Sequence, residues 1–559
     1  MKKFKITVLT LIAIFAMNSC KDALVIPSYG NLTEDNLTGV KQIENEVISA
    51  YAAIGNDEIN RPLSLWNYGN VRSDDAYKGG NDQNDGDFLH FLEISSPSIG
   101  NETWYTDGFW YNNYVAISRA NFALQLLNKI SDSEMSNKKV RIAEMRFLRG
   151  HMHFIQKIIF KMVPFIDETK SPEDIANVSN VALTNDELWQ KIADDFQYAY
   201  NNLPESQTEI GRANKYAAAA YLAKVYLYKA YRQDDMHNVV SVDQSDLQKV
   251  LDLTAYVMTS NYRLENDFAN NFLPGSFENG PESMFAVQYS HDDGTTFGRL
   301  NMGNALTTPT PGGDFNKPSQ NLVDAFKTKN GLPMFDTFAD ADYNEKSDKV
   351  DPRLFHTVAI PGKPYKYTTV NYLQNQSRNP GMYGYFSSLK ENVDPTSRYY
   401  VKTGPWYANS KNQIVIRYAD VILMRAEALI ETGSYNDALP LINQIRNRAK
   451  ASTNLIGFAS NLDVQLYQNG VNCIWNQDFA RKALRWERRL EFAMEGSRFF
   501  DLTRWGVTDA VINNYYRKEE LKHTFFQGAQ FTKNKNEFVP VPIQQINFSK
   551  GIYHQNYGF

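Results

Sequence analysis

Residues 416–449 constrain this chain most, because they place Ala426, Leu429, Gly433, Tyr435 and Ala438 at the offsets of a tetratricopeptide unit. The spacing predicts two antiparallel helices meeting at Gly433-Ser434, with Ala438 as the small residue where they cross. One such unit cannot bury its apolar face alone, so it needs stacked neighbours. The chain supplies them. Apolar residues recur every three or four positions over 33–54, 110–130, 136–160, 184–203 and 214–231. Pro164 closes the third stretch. In the last, Tyr216, Ala217, Ala220, Tyr221, Val225 and Leu227 leave almost no polar face, which predicts a helix buried between others. The expected fold is mostly α: a tetratricopeptide-like helical-repeat scaffold assembled from both ends of the chain.

Residues 261–414 change character. Gly, Pro, Asn and Thr crowd together, as in Thr307-Thr308-Pro309-Thr310-Pro311-Gly312-Gly313, around short extended pieces such as Met284 to Gln288. We expect scaffold over 33–260 and 415–505, a loop-rich variable insertion with short strands over 261–414, and a loop-rich segment over 506–559. Loops carried on a rigid scaffold are where binding surfaces usually sit.

The amino terminus reads as an export signal. Lys2, Lys3 and Lys5 precede an apolar run from Ile6 to Met17, which is short for a membrane span. Met17-Asn18-Ser19-Cys20 is similar to a bacterial lipobox, with Met17 where Leu is usual. Residues 1–19 are therefore expected to be a lipoprotein signal peptide, Cys20 a lipidated anchor and 20–32 a tether. A lipidated Cys20 leaves Cys473 as the one other cysteine, without a disulfide partner.

A net charge of -5 over 559 residues argues against nucleic acid. Aromatics stand out, with 33 Tyr, 33 Phe and 8 Trp. Most must be core, yet a chain this aromatic has rings to spare for stacking on ligands. Catalytic signatures are missing: there is no HExxH, GxSxG, P-loop or dinucleotide fingerprint, so no catalytic residue, cofactor or metal is assigned. His151 and His153 stand two apart on a helix and point to different sides, which suits packing. Asn81 to Asp87 superficially resembles a calcium loop, but counted from Asp82 its glycine falls one place early, so a solvated turn is the better reading.

One ordered set of motifs carries a resemblance. It begins with Arg72-Ser73-Asp74-Asp75-Ala76-Tyr77-Lys78-Gly79-Gly80, then Trp110, Arg119 and Asn121, and Ala143 to Gly150 closing at Val163-Pro164. It continues through Phe315 to Phe326, Asp351-Pro352-Arg353-Leu354, Ile416 to Ala428, Glu487 to Phe492 and Glu495 to Trp505, and ends with Pro540-Val541-Pro542 and Gln555-Asn556. In this order the chain resembles the SusD/RagB-like family of Bacteroidetes outer-membrane lipoproteins over essentially all of residues 20–559.

The resemblance implies a non-enzymatic glycan-binding lid at the cell surface, over a SusC-like TonB-dependent outer-membrane transporter that takes oligosaccharides inward. A peptide-binding relative and a pure gating subunit are the alternatives it leaves open. Carried over by position, the ligand contacts would be Arg72, Asp75, Tyr77, Asn81, Phe297 and Phe315, with Trp66, Trp406 and Tyr407 in reserve. Tyr77, beside the Gly79-Gly80 pair, is expected to be exposed. Arg417, Glu427, Arg446, Arg488, Glu495, Arg498 and Asp501 lie at spacings that allow ion pairs between helices and read as structural.

Overall fold

The computed structural model describes residues 39–55, 65–96, 103–294, 299–309, 312–403, 406–458 and 460–559. The lipobox, Cys20 and Phe297 lie outside them. Six long helices lead: α1 (Val40–Ile54), α2 (Thr103–Lys129), α3 (Lys138–Phe160), α4 (Asn185–Asn202), α5 (Lys215–Ala230) and α6 (Gln244–Val257). After the insertion come α7 (Tyr418–Glu431), α8 (Tyr435–Ala451), α9 (Gln477–Phe492), α10 (Arg498–Arg504), α11 (Thr508–Glu519) and a last short helix, Ile543–Phe548.

Local chemistry sets several of these ends. Thr184 caps α4 in a reciprocal box with Glu187, and Asn214 accepts from the Ala217 amide to start α5. Gly433 takes φ 89° between α7 and α8, a left-handed turn that glycine makes without a Cβ penalty. Ala438 is fully buried at that crossing.

Each helix packs on the next, α1 on α2 through to α5 on α6, and α6 then packs directly on α7. The array is thus joined across the insertion, with α7, α8 and α9 completing it. The apolar-all-round α5 sits between α4 and α6, and every alanine from Ala217 to Ala220 is fully buried. Among the described residues no helix is long and apolar enough to cross a membrane.

The strands are short, and six of them frame the insertion: β1 (Ala76–Gly79), β2 (Ser283–Val287), β3 (Phe315–Pro318), β4 (Tyr400–Thr403), β5 (Trp406–Asn409) and β6 (Gln413–Arg417). They form two-stranded antiparallel pairs, β1 with β3, β4 with β5, and β6 with β2. The β1–β3 pair ties the early acidic motif to the insertion. β6 runs into α7, so the insertion ends where the repeat resumes.

A network of buried ion pairs locks insertion to scaffold. Glu491 on α9 accepts from Arg353 at 3.1 Å, from Arg417 at 2.6 Å and from Arg448. Arg417 also reaches Glu282 at 2.7 Å and Glu495 at 3.0 Å. Arg488 joins Asp420 and Asp501, each at 2.9 Å, while Arg504 pairs with Glu427 and Asp501. The arginines and acids read as structural from sequence are all in this network or its extensions.

Candidate functional site

The site grows from the turn after β1. Gly79 and Gly80 adopt φ 81° and 79°, and a Cβ on Gly80 would lie 2.6 Å from the Phe315 ring. Two successive glycines therefore let the chain lie flat on β3 before it turns outward. The outward loop, Asn81 to Gly86, is tied from within. Asp82 Oδ1 accepts from the Asn84 and Asp85 amides at 2.8 and 3.1 Å, and Asp85 Oδ2 accepts from the Asn81 amide at 2.8 Å. Lys78 donates its ammonium to the Asp82 and Asp85 carbonyls at 2.7 and 2.5 Å. The resemblance to a calcium loop has its physical account here: a side-chain cation already fills the loop. Burial pushes that ammonium below the ordinary lysine value, opposed by the charges of Glu93, Asp85 and Asp82.

The insertion closes on this loop. Arg378 pairs with Asp85 at 2.7 Å, Asn379 donates to the Asn81 carbonyl at 2.5 Å, and the Arg378 amide donates to Asp314 Oδ2 at 2.8 Å. Tyr105 stacks on buried Phe88 with ring centroids 5.3 Å apart and remains half-buried. Its phenol is raised first by desolvation and then by Asp87 and Asp85, whose charges lie close to it. Tyr385 is 43% exposed on the segment that follows the Arg378 turn. Together Asn81, Asp85, Arg378 and Asn379 make a polar surface of donors and acceptors, with Tyr105 as a half-buried ring near Asp85 and Tyr385 as an exposed ring further along the Arg378 segment. A short helix, Asn304–Thr307, packs on both β3 and β5. A second aromatic feature of the insertion is Tyr400 stacked on Tyr407 at 4.8 Å and 11°.

The residues singled out from sequence divide sharply. Asn81 is exposed on the surface just described. Asp75 is fully buried and accepts from Arg489 Nε at 2.9 Å, while Asp74 pairs with Arg489 at 3.0 Å and Arg498 at 2.9 Å. Burial alone would raise the Asp74 carboxyl, but the two guanidiniums hold it at about 2. Arg72 is buried with its guanidinium 4.0 Å from the Phe499 ring centre and donates to the Asn536 carbonyl at 2.7 Å.

The expected exposure of Tyr77 is corrected. The ring is 2% exposed, and its hydroxyl donates to Glu519 at 2.6 Å and accepts from the Gln320 amide at 3.2 Å. The cause is the β1–β3 pairing, which fixes Tyr77 on the strand face opposite Lys78 and turns it toward His523, Phe525 and Phe526. Phe315 is corrected likewise: it is 7% exposed and floors the glycine turn. Trp66 is buried too. Sequence reasoning missed Arg378, Asn379, Tyr105 and Tyr385. Only their place in aromatic- and amide-rich stretches hinted at them.

His151 and His153 face apart, as the two-residue spacing requires. His151 Nδ1 bonds the Tyr221 hydroxyl at 2.6 Å, and His153 stacks on Phe165 at 4.3 Å.

Helix array, insertion and polar loop surface together define a helical-repeat binding scaffold. Residues 281–559 match the model described as "SusD family", and residues 82–227 match one described as "Starch-binding associating with outer membrane". The chain belongs to the SusD/RagB-like family. It is 24% identical to SusD-like protein P2 of Formosa agariphila, with 100% of both chains covered. Among solved structures it is similar to a laminarin-binding SusD-like protein at TM-score 0.66 and 22% identity, covering 93% of this chain and 100% of that one. It is also similar to surface glycan-binding protein A of Bacteroides thetaiotaomicron, solved in complex with laminarihexaose, at TM-score 0.65 and 18% identity, covering 93% and 100%.

Proposed function

We propose that this protein is a surface glycan-binding lipoprotein, anchored in the outer membrane through Cys20, that captures oligosaccharides and delivers them to a SusC-like TonB-dependent transporter. Family membership supports this reading, as do relatives whose names record glycan binding. The observation that carries it in this chain is the surface around Asn81, Asp85, Arg378 and Asn379, with Tyr105 near Asp85 and exposed Tyr385 on the same segment as Arg378. Sugar rings present apolar C–H faces edged by hydroxyls, so aromatic rings together with amide, carboxylate and guanidinium groups match both parts. Among the described positions carried over from the family, Asn81 is exposed on this surface, while Arg72, Asp75, Tyr77 and Phe315 are buried.

The test is affinity electrophoresis and calorimetry of residues 21–559 against laminarin, starch, mannan and host glycans, with Tyr385→Ala and Arg378→Ala alongside. Binding to one polysaccharide class, weakened about tenfold by either change, is the expected result. Silence across all glycans would move the assignment to a peptide carrier or a gating subunit.

A further inference from the structure

A cavity of about 200 Å³ lies between α3 and α5 on one side and β6 with its preceding loop on the other. None of Asn81, Asp85, Tyr105, Arg378 or Tyr385 lines it. Its walls are of two kinds. Phe154, Tyr221, Phe272 and Phe500 supply rings, while Asn271 and Asn412 supply amides. Most charged groups that line it are matched in ion pairs: Arg488 and Lys224 hold Asp420 at 2.9 and 3.2 Å, and Lys390 and Arg417 hold Glu495 at 2.7 and 3.0 Å; Lys411 and Glu391, which also line it, are of opposite sign and act on each other. A free anion would have to compete with these carboxylates.

Two polar atoms among the lining residues are unused. His151 spends Nδ1 on Tyr221, and its Nε2 is buried without a hydrogen-bond partner; Trp66 Nε1 is buried in the same condition. The two residues are only 2% and 8% exposed. Buried polar groups are nearly always paired in native proteins, so both atoms point to something that occupies the space. A cavity of roughly 150 Å³ is enough for one six-membered ring.

We propose that this cavity is a second ligand site, independent of the loop surface, which takes a single neutral polyhydroxylated ring of monosaccharide size. Trp66 Nε1 donates to one hydroxyl and His151 Nε2 bonds another. A hydroxyl both donates and accepts, so it satisfies the imidazole in either tautomer. The apolar ring face lies against the aromatic wall, and the amides meet the remaining hydroxyls. Neutrality follows from the internal pairing of the charges.

The experiment is calorimetry and tryptophan emission of the full chain in detergent, titrated separately with D-glucose, D-galactose and inorganic phosphate. Saturable binding of a sugar is expected, with an emission change that Trp66→Phe removes. Val415→Phe, which projects a ring from β6 into the space, should weaken binding at least about tenfold, whereas Arg378→Ala on the loop surface should change it less than about twofold. If Val415→Phe lowers the thermal midpoint, Ile414→Phe takes its place. Binding of phosphate alone, no saturable heat with either sugar, or full affinity in a well-folded filling variant would each overturn the proposal. Loss through Arg378→Ala would instead assign the sugar to the loop surface.

Discussion

Glu491 shows what a single buried residue does here. It is fully buried and answers Arg353, Arg417 and Arg448, which come from the insertion, the strand that ends it and α8. A buried ion pair contributes little net stability, but removing one partner strands the other. Glu491→Leu should therefore cost about 3–5 kcal/mol, read as a lower urea midpoint.

His153 makes a pH argument at the same scale. Desolvation, reinforced by the Arg149 charge, pushes its imidazole down to about 3. Between the ordinary histidine value and about 3 the unfolded chain takes up a proton that the folded chain refuses, so this residue's contribution falls as pH falls. His153→Gln removes that term. The stability gap between parent and variant should shrink by about 1.4 kcal/mol per pH unit from pH 6 to 4, and a constant gap would refute the assignment. Burial of these groups was only partly visible in the sequence. The ion-pair residues were legible from their helical spacing, whereas Asp75 and Arg72 carried no mark to separate a buried salt-bridge partner from a ligand contact.

Among the elements, the long helices were legible and the short strands were not. Helices α2 to α5 announce themselves through apolar periodicity and, for α4 and α5, through Thr184 and Asn214 at their caps. The pair β1–β3 joins four-residue strands from distant parts of the chain, and so short a strand offers almost no period to read. Missing that pairing is what made Tyr77 look exposed. A second element contact is equally silent in sequence. The helical turn Asn67–Val71 crosses the Gly496 backbone so closely that a Cβ on Gly69 would fall 1.9 Å from the Gly496 carbonyl oxygen. Backbone cannot rotate aside as a side chain would. Gly69→Ala should destabilise by about 2 kcal/mol, measured as a lower midpoint in thermal or urea unfolding, and a neutral effect would show that the crossing is looser than described.

For the whole molecule, the decisive relation is that α6 packs on α7 although the insertion lies between them in sequence. That both chain ends build one array was legible from the tetratricopeptide offsets, which demand neighbours. How the insertion attaches was not, because its ties are individual ion pairs such as Arg417 with Glu282 and Lys390 with Glu495. Since those ties cross from insertion to scaffold, the two should melt together. Scanning calorimetry of residues 21–559 is expected to show one cooperative transition, and two separated transitions would count against the coupling.

The α6–α7 junction also sets a timetable for the newborn chain. When α6 leaves the ribosome, its partner has not been synthesised, and the surface meant for α7 stays open until the insertion has been made. Completion of the array waits for the carboxy-terminal helices to be made.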